Sequence, residues 1–246
     1  IFDRAISKNV LNIHINTINA MKTVYGIDIT GYEITDETAD VEFFTTDSGI
    51  SSGCVKNPTT LKKAGQKLIK KGAQTIAVVC KFAEPPQDEY EKGNGVDIVG
   101  GVEAIISHYL SKELMCPCVH APAFEDVTID GNIVDEKVSA EYITPTFLPC
   151  LLTGLRNAPL IVKKENITPE CITYKNLHSV CVPYNALGSS VVLDCIVKDI
   201  PVYAILENKT VLNIDKTSIN KTIAIKEIAT YDDYINIIKE IEYEKS

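Results

Sequence analysis

The chain has 246 residues, with 33 Asp and Glu against 24 Lys and Arg, and a formal net charge of −9. Hydrophobic residues make up 45% and charged residues 23%, the balance of a chain that folds around a core, which excludes disordered and fibrous classes. No apolar run approaches the roughly 18 residues that span a bilayer, and no overall basic footprint exists for sequence-independent nucleic-acid binding, so neither membrane nor nucleic acid is an expected partner.

In chain order, residues 9–24 place Val10, Leu11, Ile18, Met21 and Val24 at mostly helical spacing, with Gly26 as a stop. Ile27 to Ile34 then alternates as a strand. Ser48-Gly49 with Gly53 reads as a flexible turn, and Ser48 is a candidate ligand contact. At Asn57-Pro58-Thr59 the asparagine is the expected cap, the proline takes the first turn, and Leu61, Ala64 and Leu68 give a buried stripe. Lys62, Lys63, Lys67, Lys70 and Lys71 on this helix read as a solvated face. Gly72 ends it, and residues 75–80 read as a buried strand of parallel-sheet type.

A helix over residues 99–113 leads to a strand at 116–120, and a helix over 145–155 follows. Then come a strand at 179–183, a helix at 188–197, a strand at 201–206 and a terminal helix at 231–241. Such alternation predicts an α/β fold with a largely parallel sheet, its strand order unassigned. Residues 1–246 are read as a single domain.

In open α/β sheets, ligands collect beyond the carboxyl ends of the strands. Past the expected strand ends sit Lys81, His120, the 185–190 turn and Glu207-Asn208-Lys209. An acid, an imidazole, a cation and a glycine-opened helix start suffice for proton transfer plus anion binding. Glu207 and His120 are then the acid/base candidates and Lys209 their charge partner. Gly188, Ser189 and Ser190 form an anion cradle, because free N–H groups and the helix dipole favour negative charge there. The expected ligand is a small anionic metabolite, and the chemistry a proton or group transfer upon it.

The densest segment runs from Gly95 to His108. Gly100 and Gly101 allow close approach, and Asp97 suits the helix start. Glu103 and His108, five apart, lie about 140° apart around a helix, so they do not share an inner face. The competing reading is a non-catalytic ligand-binding or assembly subunit, with His108 and His120 as hydrogen-bonded core residues. A homo-oligomer is compatible with either.

Cys116, Cys118 and His120 recur at every second residue and share a strand face. Thiolate and imidazole suit zinc, with His108 or Glu103 as a further ligand, but adjacent strand positions are poor tetrahedral chelators. No cofactor is therefore expected, zinc on Cys118 and His120 being the alternative. As a nucleophile pair those two side chains stand about 7 Å apart, too far for a direct relay. No C-x-x-C pair, G-x-G-x-x-G or Walker motif occurs. Cys80, Cys150, Cys181 and Cys195 sit among apolar residues, as free core cysteines do, which suits a reducing cytoplasm or organelle stroma.

Several of these segments recur together in one family. They are Ser48-Gly49 with Asn57-Pro58, Gly72-Ala73 before Ile76-Ala-Val-Val79, Gly95-Val-Asp97, and Glu103-Ala-Ile-Ile-Ser-His108. Pro117-Cys-Val-His-Ala-Pro-Ala123, Thr146-Phe-Leu-Pro149 with Gly154-Leu155, and Glu207-Asn208 with Thr210 continue the set. On these the chain resembles the family catalogued as domain of unknown function 3326, found in bacteria, notably cyanobacteria, and in plants. The resemblance covers nearly the whole chain and brings no activity with it, but it implies that Glu103, His108, Cys118, His120, Glu207 and Asn208 belong to one constellation. Family members open with a glycine-rich Val-Pro-Thr-Gly-type segment that is not found before Ile1, and Cys116 is not part of the pattern. An N-terminally incomplete chain, with a pocket open near its first helix, is the resulting expectation.

Overall fold

The computed structural model describes residues 1–47, 49–84, 89–94, 96–128, 131–142, 144–219 and 225–244, leaving aside the side chains of 242–244. Ser48 and Gly95, both singled out above, lie outside the described residues. The chain divides into two compact units, Ile1–Ile167 and Thr168–Ser246.

In the first unit, α1 (Lys8–Tyr25) leads to a hairpin of β1 (Val41–Thr45) and β2 (Ser51–Val55), followed by α2 (Pro58–Lys70), β3 (Ile76–Lys81), α3 (Gly100–Leu114) and β4 (Cys118–Ala123). Short α4 (Ser139–Tyr142) and α5 (Leu148–Arg156) complete it. Helix α1 buries Val10, His14, Ile18 and Met21, one side chain per turn, and ends where Gly26 takes φ 61°, a conformation glycine adopts without a Cβ penalty. Helix α2 buries Leu61, Ala64 and Leu68 as its pattern requires. Asn57 stands before it without capping it. Its amide donates instead to Glu37 Oε2 (2.7 Å) and to the Thr38 carbonyl (3.3 Å), tying down the incoming loop. Three of the lysines on its outer face pair with Glu113, Asp36 and Glu33.

Strands β3 and β4 are parallel, from Ile76 opposite Cys118 to Lys81 opposite Ala123, with α3 as the crossover. Phe2 extends this pairing, bridging Val79 on one side and Ile34 on the other, both in parallel. The Ile27–Ile34 strand expected from alternation is therefore reduced to one bridging residue. Ile27 and Ile29 still pack on the core, but Gly31 at φ 152° interrupts the extended path, and Tyr32 and Ile34 are exposed. The β1–β2 hairpin, which no pattern announced, is antiparallel. It lies tightly against α3: a Cβ on Gly101 would stand 2.1 Å from the Ser51 carbonyl oxygen, and one on Gly53 2.6 Å from Val102 Cβ. These glycines are close-approach contacts.

The second unit is a parallel three-stranded sheet in the order β5 (Val180–Pro183), β6 (Val202–Ile205), β7 (Ile225–Ile228). Helix α6 (Ser190–Val197) crosses from β5 to β6, and α7 (Tyr231–Glu244) follows β7. Leu187, Val192, Cys195, Ile196, Val202, Ala204 and Ile225 form its core. Among the described residues two of the three sheets are parallel, and the fold is α/β. Among the described residues no helix is long and apolar enough to cross a membrane.

Of the cysteines expected in the core, Cys80 and Cys195 are buried and Cys181 is half-buried, but Cys150 is exposed. Helix α5 buries Leu148, Leu152 and Leu155, and position 150 falls on the opposite face.

Candidate functional site

Helix α3 leaves the carboxyl edge of β3 and returns the chain to β4, so its first turn lies where α/β folds place ligands. Asp97 Oδ1 accepts from the Val99 N–H (3.0 Å), and the Gly101 N–H donates to Ser51 Oγ (2.9 Å). These bonds fix the entry of the helix. Within its first turn Glu103 is only 6% exposed, and its Oε1 is buried without a hydrogen-bond partner. Burial raises its pKa from 4.5 to about 8, with the negative charges of Asp97 and Glu141 adding to the effect.

One helical turn further on, Ser107 Oγ stands 2.8 Å from His120 Nδ1. The same hydroxyl reaches the carbonyls of Ala104 (3.2 Å) and Glu103 (3.4 Å). When it donates to either carbonyl, its oxygen accepts from Nδ1–H, and Nε2 becomes the basic nitrogen of the ring. Burial lowers the His120 pKa, and the charge of His108 lowers it further against an opposing pull from Asp97. At neutral pH Glu103 is therefore mostly protonated, and burial favours the uncharged form of the His120 ring. Across the cluster, Tyr90 OH donates to the Glu141 carboxylate (3.1 Å to each oxygen), and burial raises the Glu141 pKa.

Asp97 acts electrostatically on both Glu103 and His120, and His108 on His120, while Gly188, Ser189, Ser190, Glu207, Asn208 and Lys209 fall in the second unit. His120 is not beyond a strand end. It is the third residue of β4, opposite Val78, because the strand continues through Ala123. His108 is exposed, so it is no core histidine, and its outward position agrees with the angle separating it from buried Glu103. Lys81 pairs with Glu125 at 3.2 Å. Cys116 and Cys118 bring their sulfurs to 3.9 Å. Among the described residues, no group of three or more His, Cys, Asp or Glu side chains is arranged to hold a metal ion.

In the second unit the polar residues have other employment. Glu207 Oε1 accepts from the Tyr231 N–H (2.7 Å) at the start of α7, and Asn208 Nδ2 donates to Tyr231 OH (2.7 Å). Ser189 is the N-cap of α6, its hydroxyl accepting from the Val192 N–H (3.3 Å). Gly188, Ser190 and Lys209 are exposed.

Ser107, Glu141 and Tyr90 escaped sequence reasoning. Only Ser107 carried a signal, four residues after Glu103 and thus on the same helix face. A cavity of about 580 Å³ opens at the opposite, amino edge of β3, with Phe2, Ile27, Ile76, Leu148 and Leu152 in its wall and Arg156 at its margin. None of the acid–base residues lines it, so it is not the seat of this chemistry.

An α/β chain whose third helix carries a buried carboxyl with an unpartnered oxygen and, one turn on, a serine that holds an imidazole is the class that fold and site define. The chain belongs to the family described as protein of unknown function DUF3326, whose model matches residues 1–242. It is also 33% identical over 218 residues to a protein of Synechococcus sp. named as an uncharacterized lipoprotein, covering 87% of this chain and 60% of that relative. The chain thus spans about 60% of the length of this curated relative. No solved structure matches it.

Proposed function

We propose that Glu103 and His120 act as an acid–base pair that transfers a proton on a small metabolite where α3 packs against β4. The observation that carries this reading is the buried Glu103 carboxyl with its unpartnered Oε1. Buried polar atoms are nearly always hydrogen-bonded, and leaving one unpaired costs roughly 1–3 kcal/mol. A site that meets a ligand explains the cost where a purely structural role does not. Opposite pKa shifts support the same reading, since a carboxyl pushed up and an imidazole pushed down supply an acid and a base together near neutral pH.

Ser107 is a positioning residue in this scheme, holding the imidazole ring and selecting its tautomer. Asp97 and Glu141 make the surroundings acidic, which disfavours a phosphate or carboxylate next to Glu103. The small metabolite therefore presents a neutral or protonated group here rather than the anion expected from sequence.

Two measurements test the proposal. Carbon-13 NMR of glutamate-labelled protein should show one carboxyl titrating near pH 8, absent in Glu103→Gln. Incubating the protein with a pooled metabolite extract in heavy water should place deuterium in a component that neither Glu103→Gln nor His120→Ala labels. A Glu103 titrating in the ordinary carboxylate range, or labelling that survives both substitutions, would overturn it.

A further inference from the structure

The turn that joins α3 to β4 places two thiols together. Met115 ends α3 in the left-handed conformation at φ 54°, its N–H donating to the Ser111 carbonyl (3.0 Å). Cys116 and Pro117 then bend the chain into β4. Ser111 Oγ accepts from the Cys118 N–H (3.1 Å), and the Pro117 carbonyl accepts from Ile76 N–H (2.9 Å). The bend is thus held from both the helix and the neighbouring strand. In a straight strand, side chains two residues apart stand about 7 Å from each other. Here the two sulfurs are 3.9 Å apart, and Cys118 Sγ also lies 3.4 Å from the Cys116 carbonyl oxygen.

We propose that Cys116 and Cys118 are a dithiol–disulfide couple, exchanging with low-molecular-weight disulfides of the glutathione type. A disulfide needs its sulfurs at about 2.05 Å, so the remaining closure is roughly 2 Å, on the scale of a side-chain rotation. Cys118 is half-buried and is the sulfur that a small disulfide can reach, while Cys116 is only 7% exposed. The Cys118 thiolate attacks one sulfur of the small disulfide, whose other half leaves as a thiolate. Cys116, as thiolate, then attacks the Cys118 sulfur of the mixed disulfide and expels the second half. The protein loses two electrons and two protons. The small disulfide gains both electrons, and the two protons finish on the two released thiols. The couple does not depend on the acid–base reading of Glu103.

The test equilibrates the full chain in buffers graded from reduced to oxidised glutathione. Samples are quenched in acid, alkylated, digested and weighed. The peptide holding residues 116–118 should lose two hydrogens and both alkyl labels in one transition as the buffer becomes oxidising, and dithiothreitol should reverse it. Cys116→Ser should instead accumulate a glutathione adduct on Cys118, with Cys118→Ser as the complementary control. Both cysteines keeping their labels at every ratio would overturn the proposal. So would a stable glutathione adduct on the wild-type chain without the two-hydrogen loss.

Discussion

At the carboxyl edge of β3 a carboxyl oxygen is buried with no partner, whereas past β5, β6 and β7 the side chains of Asn185, Ser189, Glu207 and Asn208 are bonded to the protein itself. Glu103 exemplifies the first edge. Asn185 exemplifies the second: its amide donates to the carbonyls of Thr210 (2.8 Å) and Leu212 (2.5 Å), and its oxygen accepts from the Thr210 N–H (2.9 Å) and hydroxyl (3.1 Å). Both edges look alike in sequence, each with acids, amides and hydroxyls following a strand. Polarity after a strand end marks a site only when the hydrogen bonds have been accounted for and some capacity is left over. In the second unit Asn185 is spent on joining two loops, Glu207 on α7 and Ser189 on α6.

The largest expected effect attacks this contrast at Glu103. A carboxyl whose folded pKa is raised binds its proton more tightly in the folded than in the unfolded chain. Its stabilising contribution is complete below the ordinary value of 4.5 and is lost as pH rises through about 8. A displacement of that size is worth about 3–5 kcal/mol across the window. Urea unfolding from about pH 5 to about pH 8.5 should show stability falling for the wild type relative to Glu103→Gln, whose amide does not titrate. Parallel curves for the two proteins would make Glu103 an ordinary carboxyl and erase the difference between the edges. His14 should behave with the opposite sign and more weakly. It is buried, its Nδ1 bonded to the Val10 carbonyl (2.8 Å) and its Nε2 unpartnered, and burial lowers its pKa. Its contribution is therefore complete above the ordinary histidine range and is lost as pH falls below it, a slope that His14→Leu should remove.

Next in size is Asn185. Removing its side chain leaves the Thr210 N–H and the Thr210 and Leu212 carbonyls without their partner, in a place where Asn185 itself is 3% exposed. Asn185→Ala should cost roughly 3 kcal/mol in urea unfolding without altering deuterium labelling by the Glu103 site. A cost below about 1 kcal/mol would mean that water satisfies the loops as well as Asn185 does, and that this edge is less internally committed than its hydrogen bonds suggest.

The helices and central strands of this fold were legible because their patterns report burial directly. The stripes in α1 and α2, the Gly26 stop and the Val-rich β3 each follow from one face meeting a core. Where pattern and partner separate, the reading failed. Ile27 to Ile34 alternates correctly but has only Phe2 beside it at one residue. The strands of the β1–β2 hairpin and β7 are short, four or five residues each, and carry too few apolar positions to show a period. At the candidate site Asp97, Glu103, His108 and His120 were readable as residue types, while the contact of Ser107 with His120 depends on the register between a helix and a strand. Nothing in local sequence reports that register. Asn57 teaches the same lesson on a smaller scale, since its cap position was legible and its bonds to Glu37 and Thr38 were not.

The smallest expected effect sharpens the contrast from the other side. Glu207 was, with His120, an acid–base candidate from sequence, yet its Oε1 accepts from the Tyr231 N–H at the first residue of α7. A carboxylate there satisfies a donor that has no partner within the helix and lies at the positive end of the helix dipole. An oxygen committed to that N–H is not free to meet a substrate. Glu207→Ala should therefore cost about 1 kcal/mol of stability, in the range of a lost N-cap, and Glu207→Gln, which keeps an oxygen for the N–H but loses the charge, should cost less. Neither should change deuterium labelling. If Glu207→Gln abolished labelling while leaving stability intact, the chemistry would belong to the second unit, and the unpaired oxygen of Glu103 would need another explanation.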